Sequence, residues 1–177
     1  DRNMAAEVMS ATDRAQLNDE VRVIVLKGEG RAFCAGLDLQ TRIGKNLEND
    51  EEVEALKTEL RDCFDMIMRL WDSPKPTVAA VQTYCMGAGM ELALACDITI
   101  AARDCRFGSP EVLYGSGAIA LLLPYLCGPK RAREILLTGN DRITSEQAEA
   151  WGLVTRVVGE DKLIERAREC ALEIARH

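Results

Sequence analysis

The 177-residue sequence contains a single histidine, His177, at its last position. Nucleophilic sites of the Ser-His-Asp and Cys-His types need a histidine that acts as the base, and many metal sites need several histidines. The sequence therefore argues against a histidine-activated nucleophile and against a histidine-rich metal site within this chain.

Cysteine is plentiful, but no recognisable pairing motif is present. The seven cysteines are odd in number and none stand in a Cys-x-x-Cys spacing; they occupy positions 34, 63, 85, 96, 105, 127 and 170. Most fall within apolar segments, where a free cysteine packs as a small hydrophobic side chain. This usage argues against a disulfide framework or a zinc site and is typical of a reducing compartment. We expect the cytoplasm, and an organelle matrix stays open because the sequence begins at Asp1 rather than at Met.

The sequence also lacks the features of a membrane-spanning segment, of a nucleic-acid-binding protein and of a nucleotide-binding site. No apolar run is long enough to span a bilayer, and the longest, Ala118–Leu123, fits a buried helix. The net charge of −7, from 29 acidic and 22 basic residues, argues against nucleic-acid binding. The Gly87-x-Gly89 pair has Leu92 where a dinucleotide fingerprint needs its third glycine, and no Gly-Lys-Ser/Thr phosphate loop occurs. We therefore expect no metal, no redox cofactor, and no membrane or nucleic-acid partner.

The residues that are present indicate an α/β layered fold, in which strands and helices alternate along one domain covering residues 1–177. The predicted strands are Val21–Lys27, Thr77–Gln82, Ile98–Ala102 and Thr155–Val158. The predicted helices are Asn3–Leu17, Glu51–Trp71, Ala118–Leu126, Lys130–Thr138, a helix running from a Thr144–Gln147 capping box to Gly152, and Asp161–Arg176. The β-branched residues of Val21–Lys27 favour a parallel strand in the core.

The stretch Tyr84–Asp97 reads Tyr-Cys-Met-Gly-Ala-Gly-Met-Glu-Leu-Ala-Leu-Ala-Cys-Asp. A small-residue turn at Gly87–Gly89 leads into a short predicted helix with Glu91 in its first turn. Glycine lets the backbone approach a ligand, and the free N–H groups and dipole at a helix start favour negative charge. The turn is either a site for developing negative charge on an oxygen or an ordinary glycine turn in which Glu91 suits the helix dipole.

A second small-residue loop, Arg31–Leu39, also follows a predicted strand, and taken alone it is a plain connection. If one sheet edge brings the two turns together, N–H groups near Leu37 and Gly87 converge on one carbonyl oxygen as an oxyanion hole. Glu91 and Glu111 are then the candidates for acid and base, because the chain has no internal histidine. Such a site suits chemistry that passes through an enolate, such as proton transfer or water addition next to a carbonyl.

Together, Arg31–Leu39, Tyr84–Asp97 and Phe107–Glu111 resemble the enoyl-CoA hydratase/isomerase (crotonase) superfamily, and the resemblance runs over essentially the whole chain. It implies a ClpP/crotonase-like spiral of ββα units, commonly assembled as a homotrimer or a dimer of trimers. It also implies an acyl-coenzyme A thioester as substrate, with no further cofactor. By this resemblance the chain lacks the first strands of the family and its C-terminal helical region, so we expect it to be incomplete.

The resemblance also implies roles for individual residues. Leu37 and Gly87 would donate the two oxyanion-hole N–H groups. Glu91 and Glu111 match the glutamates of true hydratases, where the usual assignment makes Glu91 the base that activates water and Glu111 the acid, although the sequence leaves the assignment open. The segment that lines the coenzyme A path comprises Ala35, Asp38, Leu39 and Gln40.

Among crotonase activities, the residues favour enoyl-CoA hydratase. Enoyl isomerases generally lack the equivalent of Glu91, and dienoyl isomerases carry an aspartate eight residues after Glu111, where this chain has Ile119. However, Val112–Ala120 departs from the Pro-Gly-x-Gly-Gly-Thr run usual in hydratases. Isomerisation, thioester hydrolysis and ring hydration therefore stay open, as does a non-catalytic homologue that assembles with a partner or binds RNA.

Overall fold

The structure, a computed structural model, describes residues 2–38, 49–115 and 122–177. Within these ranges the chain forms seven β-strands and six α-helices. The strands are β1 (Ile24–Lys27), β2 (Thr77–Val81), β3 (Tyr84–Met86), β4 (Ile98–Ala102), β5 (Arg106–Gly108), β6 (Ile143–Thr144) and β7 (Arg156–Val158). The helices are α1 (Arg2–Leu17), α2 (Asp50–Trp71), α3 (Ala88–Leu94), α4 (Leu123–Thr138), α5 (Ser145–Ala150) and α6 (Leu163–Ile174). Short 3₁₀ helices lie at Glu111–Tyr114 and Glu160–Lys162.

Four parallel strands form the main sheet in the order β1-β2-β4-β7. All five residues of β2 are buried, because this strand lies between two others and both faces of the sheet are covered. The predicted parallel pairing of the first strand is confirmed, with Ile24 opposite Thr77. Its predicted core position is wrong. Among the described residues β1 is an edge strand, and its burial alternates so that Val25 is 41% exposed.

A second sheet has the order β3-β5-β6. β3 and β5 pair in parallel, whereas β5 and β6 pair antiparallel. The sequence patterns predict none of these strands, because each has only two or three residues and shows no periodicity of its own. An isolated parallel bridge between Cys34 and Cys85 joins the loop that follows β1 to this sheet.

The main sheet separates two parts of the core. On one face α6 contributes Leu163 and Ala167, which pack against alternate residues of β2 and β4. The other face carries the larger cluster, formed by the inner residues of α2, α3 and α4 and by the second sheet. All seven residues of α3 are buried, so the short helix and the turn before it lie between the two sheets and the helices that cover them.

The long predicted helices are confirmed, and their ends follow from specific caps. α2 begins at Asp50 because the side chain of Asn49 accepts a hydrogen bond from Glu52 N. The predicted capping box at the start of α5 is present, since Thr144 and Gln147 exchange side-chain to backbone hydrogen bonds. The final predicted helix begins as the 3₁₀ turn Glu160–Lys162 and becomes regular in α6.

The predicted break between two helices at Cys127-Gly128 is also confirmed, because Gly128 has φ 76° and ψ 158° within α4. The first of these helices is observed from Leu123, and residues 118–121 of the prediction lie outside the described residues, as do residues 40–48 of the polar connection. Within the described ranges, no helix combines the length and the apolar character needed to cross a membrane.

Candidate active site

A tight turn at Gln82–Tyr84 redirects the chain from the main sheet to the second sheet. Tyr84 N donates to Gln82 O over 2.7 Å, and the central residue Thr83 has a positive φ of 56°. This hydrogen bond between residues two apart defines a γ-turn, and the positive φ makes it the strained form. The turn points β3 toward Gly87 and the start of α3.

The loop after β1 is held against β3 by regular backbone hydrogen bonds. Phe33 N donates to Gln82 O, Cys34 N donates to Tyr84 O, and Met86 N donates to Cys34 O, each over 3.0 Å. Further along the loop, Gly36 has φ 95°, and a Cβ on it would lie 3.1 Å from Met86 O and 3.8 Å from Ala88 N. The loop that carries Leu37 therefore lies directly beside the Gly87–Gly89 turn.

The predicted role of Gly87 as an N–H donor needs correction. Its N–H donates to Gly108 O over 2.8 Å, and its C=O accepts from Met90 N and Glu91 N as the N-cap of α3. Its amide is therefore occupied by the second sheet. The next amide, Ala88 N–H, is the first of the helix, and such an N–H group has no acceptor within the helix itself. In the part of the chain that the structure describes, the N–H groups of Leu37 and Ala88 have no hydrogen-bond partner.

Glu91 lies in the first turn of α3 and is 4% exposed. Its Oε2 accepts a hydrogen bond from Leu122 N over 3.2 Å. This contact joins the helix that follows the glycine turn to the start of α4. A buried carboxyl beside the free amide of Ala88 is a suitable acid or base, because proton transfer requires a fixed group close to the reacting atoms.

Glu111 lies on the 3₁₀ helix that follows β5 and is half-buried. Ser109 Oγ donates to its Oε2 over 2.7 Å. Its other oxygen, Oε1, contacts Gly87 so closely that a Cβ on Gly87 would overlap it. The structure thus brings Leu37, Gly87, Glu91 and Glu111 to one end of α3, on three separate segments of the chain.

The predicted coenzyme A segment is described only in part. Ala35 and Asp38 are exposed, on either side of Gly36 and Leu37. Leu39 and Gln40 lie outside the described residues. The two described members of this segment thus lie at the surface, next to the predicted oxyanion loop.

The thiols around the site are held in their neutral form. Burial raises the pKa of Cys85 well above its ordinary value, and nearby Cys105 and Cys34 add to the shift. Burial also raises the pKa of Cys127, and the negative charge of Glu91 acts in the same direction. These cysteines contribute packing rather than nucleophiles, because the reactive form of cysteine is the thiolate. In the described ranges, no three His, Cys, Asp or Glu side chains are grouped as a metal ion would require.

Sequence reasoning missed two residues of this site. Ala88 supplies the amide, and the sequence does contain a signal for it. The residue after an N-cap glycine is the first whose N–H group has no acceptor within the helix. Ser109 contacts Glu111, and only its position two residues before the glutamate could have suggested this contact.

Comparison with known proteins places these features in a family. The sequence profile of the enoyl-CoA hydratase/isomerase family matches residues 1–177. The chain belongs to the enoyl-CoA hydratase/isomerase family. Its fold is accordingly the α/β crotonase fold, which confirms the fold class predicted from the sequence.

Several members of the enoyl-CoA hydratase/isomerase family are similar over most of this chain. It is 38% identical over 158 residues to the mevalonyl-coenzyme A hydratase of Aspergillus fumigatus, and the aligned region covers 88% of this chain and 56% of that protein. It is 34% identical over 176 residues to the 1,2-epoxyphenylacetyl-CoA isomerase of Escherichia coli, covering 97% of this chain and 66% of that one. A crystal structure of an enoyl-CoA hydratase/isomerase from Xanthobacter autotrophicus superposes with a TM-score of 0.91 at 40% identity, covering 98% of this chain and 64% of the other.

The chain thus spans between about half and two thirds of the length of these family members. Their names include both hydratases and isomerases, so membership of the family does not by itself fix the reaction.

Proposed function

We propose that the protein is an enoyl-CoA hydratase, which adds water reversibly across the double bond of a 2-enoyl-coenzyme A thioester. The observation that carries the proposal is the meeting of two backbone turns with two glutamates at the start of α3. Among the similar proteins, one is a mevalonyl-coenzyme A hydratase and another a 2,3-dehydroadipyl-CoA hydratase that is 34% identical over 97% of this chain.

The proposed oxyanion hole consists of the N–H groups of Leu37 and Ala88. Both would donate to the thioester oxygen, which gains negative charge when the enolate forms. A single preorganised donor of this kind is worth about 2.7–4 kcal/mol in the transition state. Support comes from Gly36, whose close approach to Met86 and Ala88 sets the spacing of the two amides.

The two glutamates divide the proton transfers in this proposal. As water attacks Cβ, Glu91 takes one of its protons and the electrons of the double bond move toward the thioester oxygen. The enolate then collapses and takes a proton at Cα from Glu111. Two carboxyl groups can perform opposite roles when their surroundings differ, and here Glu91 is buried whereas Glu111 is half-exposed.

The proposed substrate is an acyl-coenzyme A thioester that passes along the exposed Ala35 and Asp38, with Leu39 and Gln40 completing the segment. The proposed chemistry uses no metal and no redox cofactor, because backbone amides stabilise the charge and carboxyl groups move the protons. We also propose a homotrimer or a dimer of trimers, as the sequence resemblance implies, and a cytoplasmic location, as the cysteine usage indicates.

Isomerisation of an acyl-CoA is the second candidate. The similarity to 1,2-epoxyphenylacetyl-CoA isomerase, 34% over 97% of this chain, favours it. The same oxyanion hole would serve, because an isomerase also forms negative charge on the thioester oxygen.

The first prediction concerns the two glutamates, and its experiment uses the full-length chain. Crotonyl-CoA, a 3-enoyl-CoA and an epoxide-bearing acyl-CoA are supplied in turn, and products are identified by mass spectrometry. We expect crotonyl-CoA to gain one water. Glu91→Gln and Glu111→Gln should each reduce kcat on the order of 10²–10⁴-fold, since general acid–base catalysis contributes that much.

Glu165→Gln is the matched control, because Glu165 is an exposed glutamate of α6 that pairs with Lys162 and lies far from α3 in the sequence. It should keep full activity. If both active-site variants hydrate crotonyl-CoA at the wild-type rate, the acid–base assignment is wrong. If the wild-type protein rearranges an acyl-CoA and adds no water, the isomerase candidate replaces the hydratase.

A further inference from the structure

The segment Gly108-Ser109 connects the two parts of the proposed site. Gly108 O accepts the N–H of Gly87, and Ser109 N donates to Asn140 O over 3.1 Å. Gly108 itself packs against the Asn140-Asp141 backbone so tightly that a Cβ on it would lie 2.6 Å from Asn140 O. The backbone of Ser109 is therefore fixed from both sides.

The side chain of Ser109 is directed at Glu111. Ser109 is 4% exposed, and its Oγ lies 2.7 Å from Glu111 Oε2. The hydroxyl is the donor, because Oε2 accepts hydrogen bonds both in the carboxylate and in an acid that carries its proton on Oε1. The length of 2.7 Å is that of a well-formed O–H···O hydrogen bond.

The second carboxylate oxygen of Glu111 faces the turn. A Cβ on Gly87 would overlap Oε1 and lie 3.2 Å from Cδ, so the carboxyl group rests on the bare backbone of Gly87. The amide that follows is that of Ala88. Oε1 is therefore the oxygen nearer to the proposed oxyanion hole, and Oε2 is the oxygen held by Ser109.

We propose that Ser109 is a positioning residue, which holds Oε2 of Glu111 so that Oε1 alone exchanges the proton with the substrate. This inference rests on the proposed function, since it assigns a use to Glu111. In the described part of the chain, Ser109 is the one side chain that donates a hydrogen bond to this carboxylate. The side chains of the three residues that follow Glu111 on its 3₁₀ helix are exposed; they are Val112, Leu113 and Tyr114.

The test compares Ser109→Ala with Ser109→Thr in the full-length protein. Removal of the hydroxyl should let the carboxylate rotate, and misplacement of a catalytic group by about 1 Å can cost about 100-fold in rate. We expect Ser109→Ala to lower kcat by roughly 10- to 100-fold with KM unchanged, because binding of the thioester does not involve Oε2. Ser109→Thr, which keeps the hydroxyl, should recover most of the rate.

A double-mutant cycle separates positioning from a general structural role. In a Glu111→Gln background, Ser109→Ala should cause no further loss of kcat, because the group through which Ser109 acts is already gone. Ser145→Ala is the matched control. Ser145 is also a fully buried serine whose Oγ donates to Ala102 O and Cys105 O, away from both glutamates. It should lower the unfolding free energy and leave kcat intact.

The possible failures are distinguishable. If wild-type protein is active, Glu111→Gln is impaired and Ser109→Ala keeps the wild-type kcat, then this inference is wrong while the proposed function stands. An additive loss in the double variant overturns it in the same way. If Glu111→Gln keeps full activity, the assignment of Glu111 fails and the role of Ser109 fails with it. Should Ser109→Ala not fold, Ser109→Cys replaces it, because a thiol is a weak donor of similar size.

Discussion

Several glycines around α3 are required because backbone segments meet there with no room for side chains. Gly89 lies against Cys34, Gly36 lies against Met86, and Gly87 lies against the carboxylate of Glu111. Each contact joins the start of α3 to a segment that carries a candidate functional group. The spacing between the two proposed amides therefore depends on the missing Cβ atoms at these positions.

Gly89→Ala tests this dependence at one residue. The new Cβ would lie 2.6 Å from Cys34 Cβ, 2.7 Å from Cys34 O and 2.8 Å from Cys34 Sγ. All three distances are shorter than a van der Waals contact, so the new methyl group would overlap Cys34. Cys34 cannot move freely, because its backbone pairs with β3. We expect a loss of about 1–3 kcal/mol in unfolding free energy, as for other overpacked cores, and a strong drop in hydration rate as the Leu37 loop shifts. Urea unfolding and a crotonyl-CoA assay measure the two effects.

Gly159→Ala is the control for a glycine at a permissive position. It has φ −63°, and its Cβ would meet only the side chain of Asp161, which is able to rotate away. This variant should retain both stability and rate. A Gly89→Ala protein that equals wild type in both measurements would show that the two turns have room to separate.

Between β2 and β3, the strained turn at Thr83 is an element that local sequence preference opposes. A β-branched residue at positive φ is a genuine outlier, and the left-handed conformation costs about 1–2 kcal/mol in residues other than glycine. Glycine removes this strain but loses about 0.5–1 kcal/mol of conformational entropy on folding. We expect Thr83→Gly to raise the unfolding free energy by a net amount of up to about 1.5 kcal/mol, measured by urea unfolding.

Thr83→Val provides the comparison, because valine has the same branched shape and keeps the strain. It should be no more stable than wild type. A Thr83→Gly protein that is less stable than wild type would mean that Thr83 makes compensating contacts in the native state.

The elements that sequence patterns predicted correctly are those that carry their own signal. α2 and α6 have an apolar face repeated over several turns, and α5 begins with a capping box. β3, β5 and β6 could not be predicted, because each lacks a sequence pattern of its own and is formed by pairing with segments distant in the chain. The error at Gly87 has the same origin: its amide is occupied by pairing between β3 and β5. Glu91 and Glu111 could be named from the sequence motifs, whereas the contact between Glu111 and Ser109 needed the folded chain.

Across the whole molecule, buried thiols link stability to pH. Burial raises the pKa of Cys96 and of Cys105 to about 12. An unfolded cysteine has a pKa of about 8.5, so above that pH the unfolded chain releases thiol protons that the folded protein retains. The unfolding free energy therefore falls as pH rises, by up to about 1.4 kcal/mol per pH unit for each thiol. The stabilisation is complete below about pH 8.5 and is lost progressively up to about pH 12.

Urea unfolding at a series of alkaline pH values measures this decline, and a variant with both Cys96→Ala and Cys105→Ala isolates the part due to these thiols. The variant should be less stable than wild type at neutral pH, because alanine leaves small cavities where the two side chains packed. Its stability should then fall less steeply above about pH 8.5, since it has two fewer thiols that titrate only on unfolding. Lysine and tyrosine titrate over the same range in both proteins, so the difference between the two slopes is the decisive quantity. Equal slopes would mean that the folded protein releases these two protons as readily as the unfolded chain does.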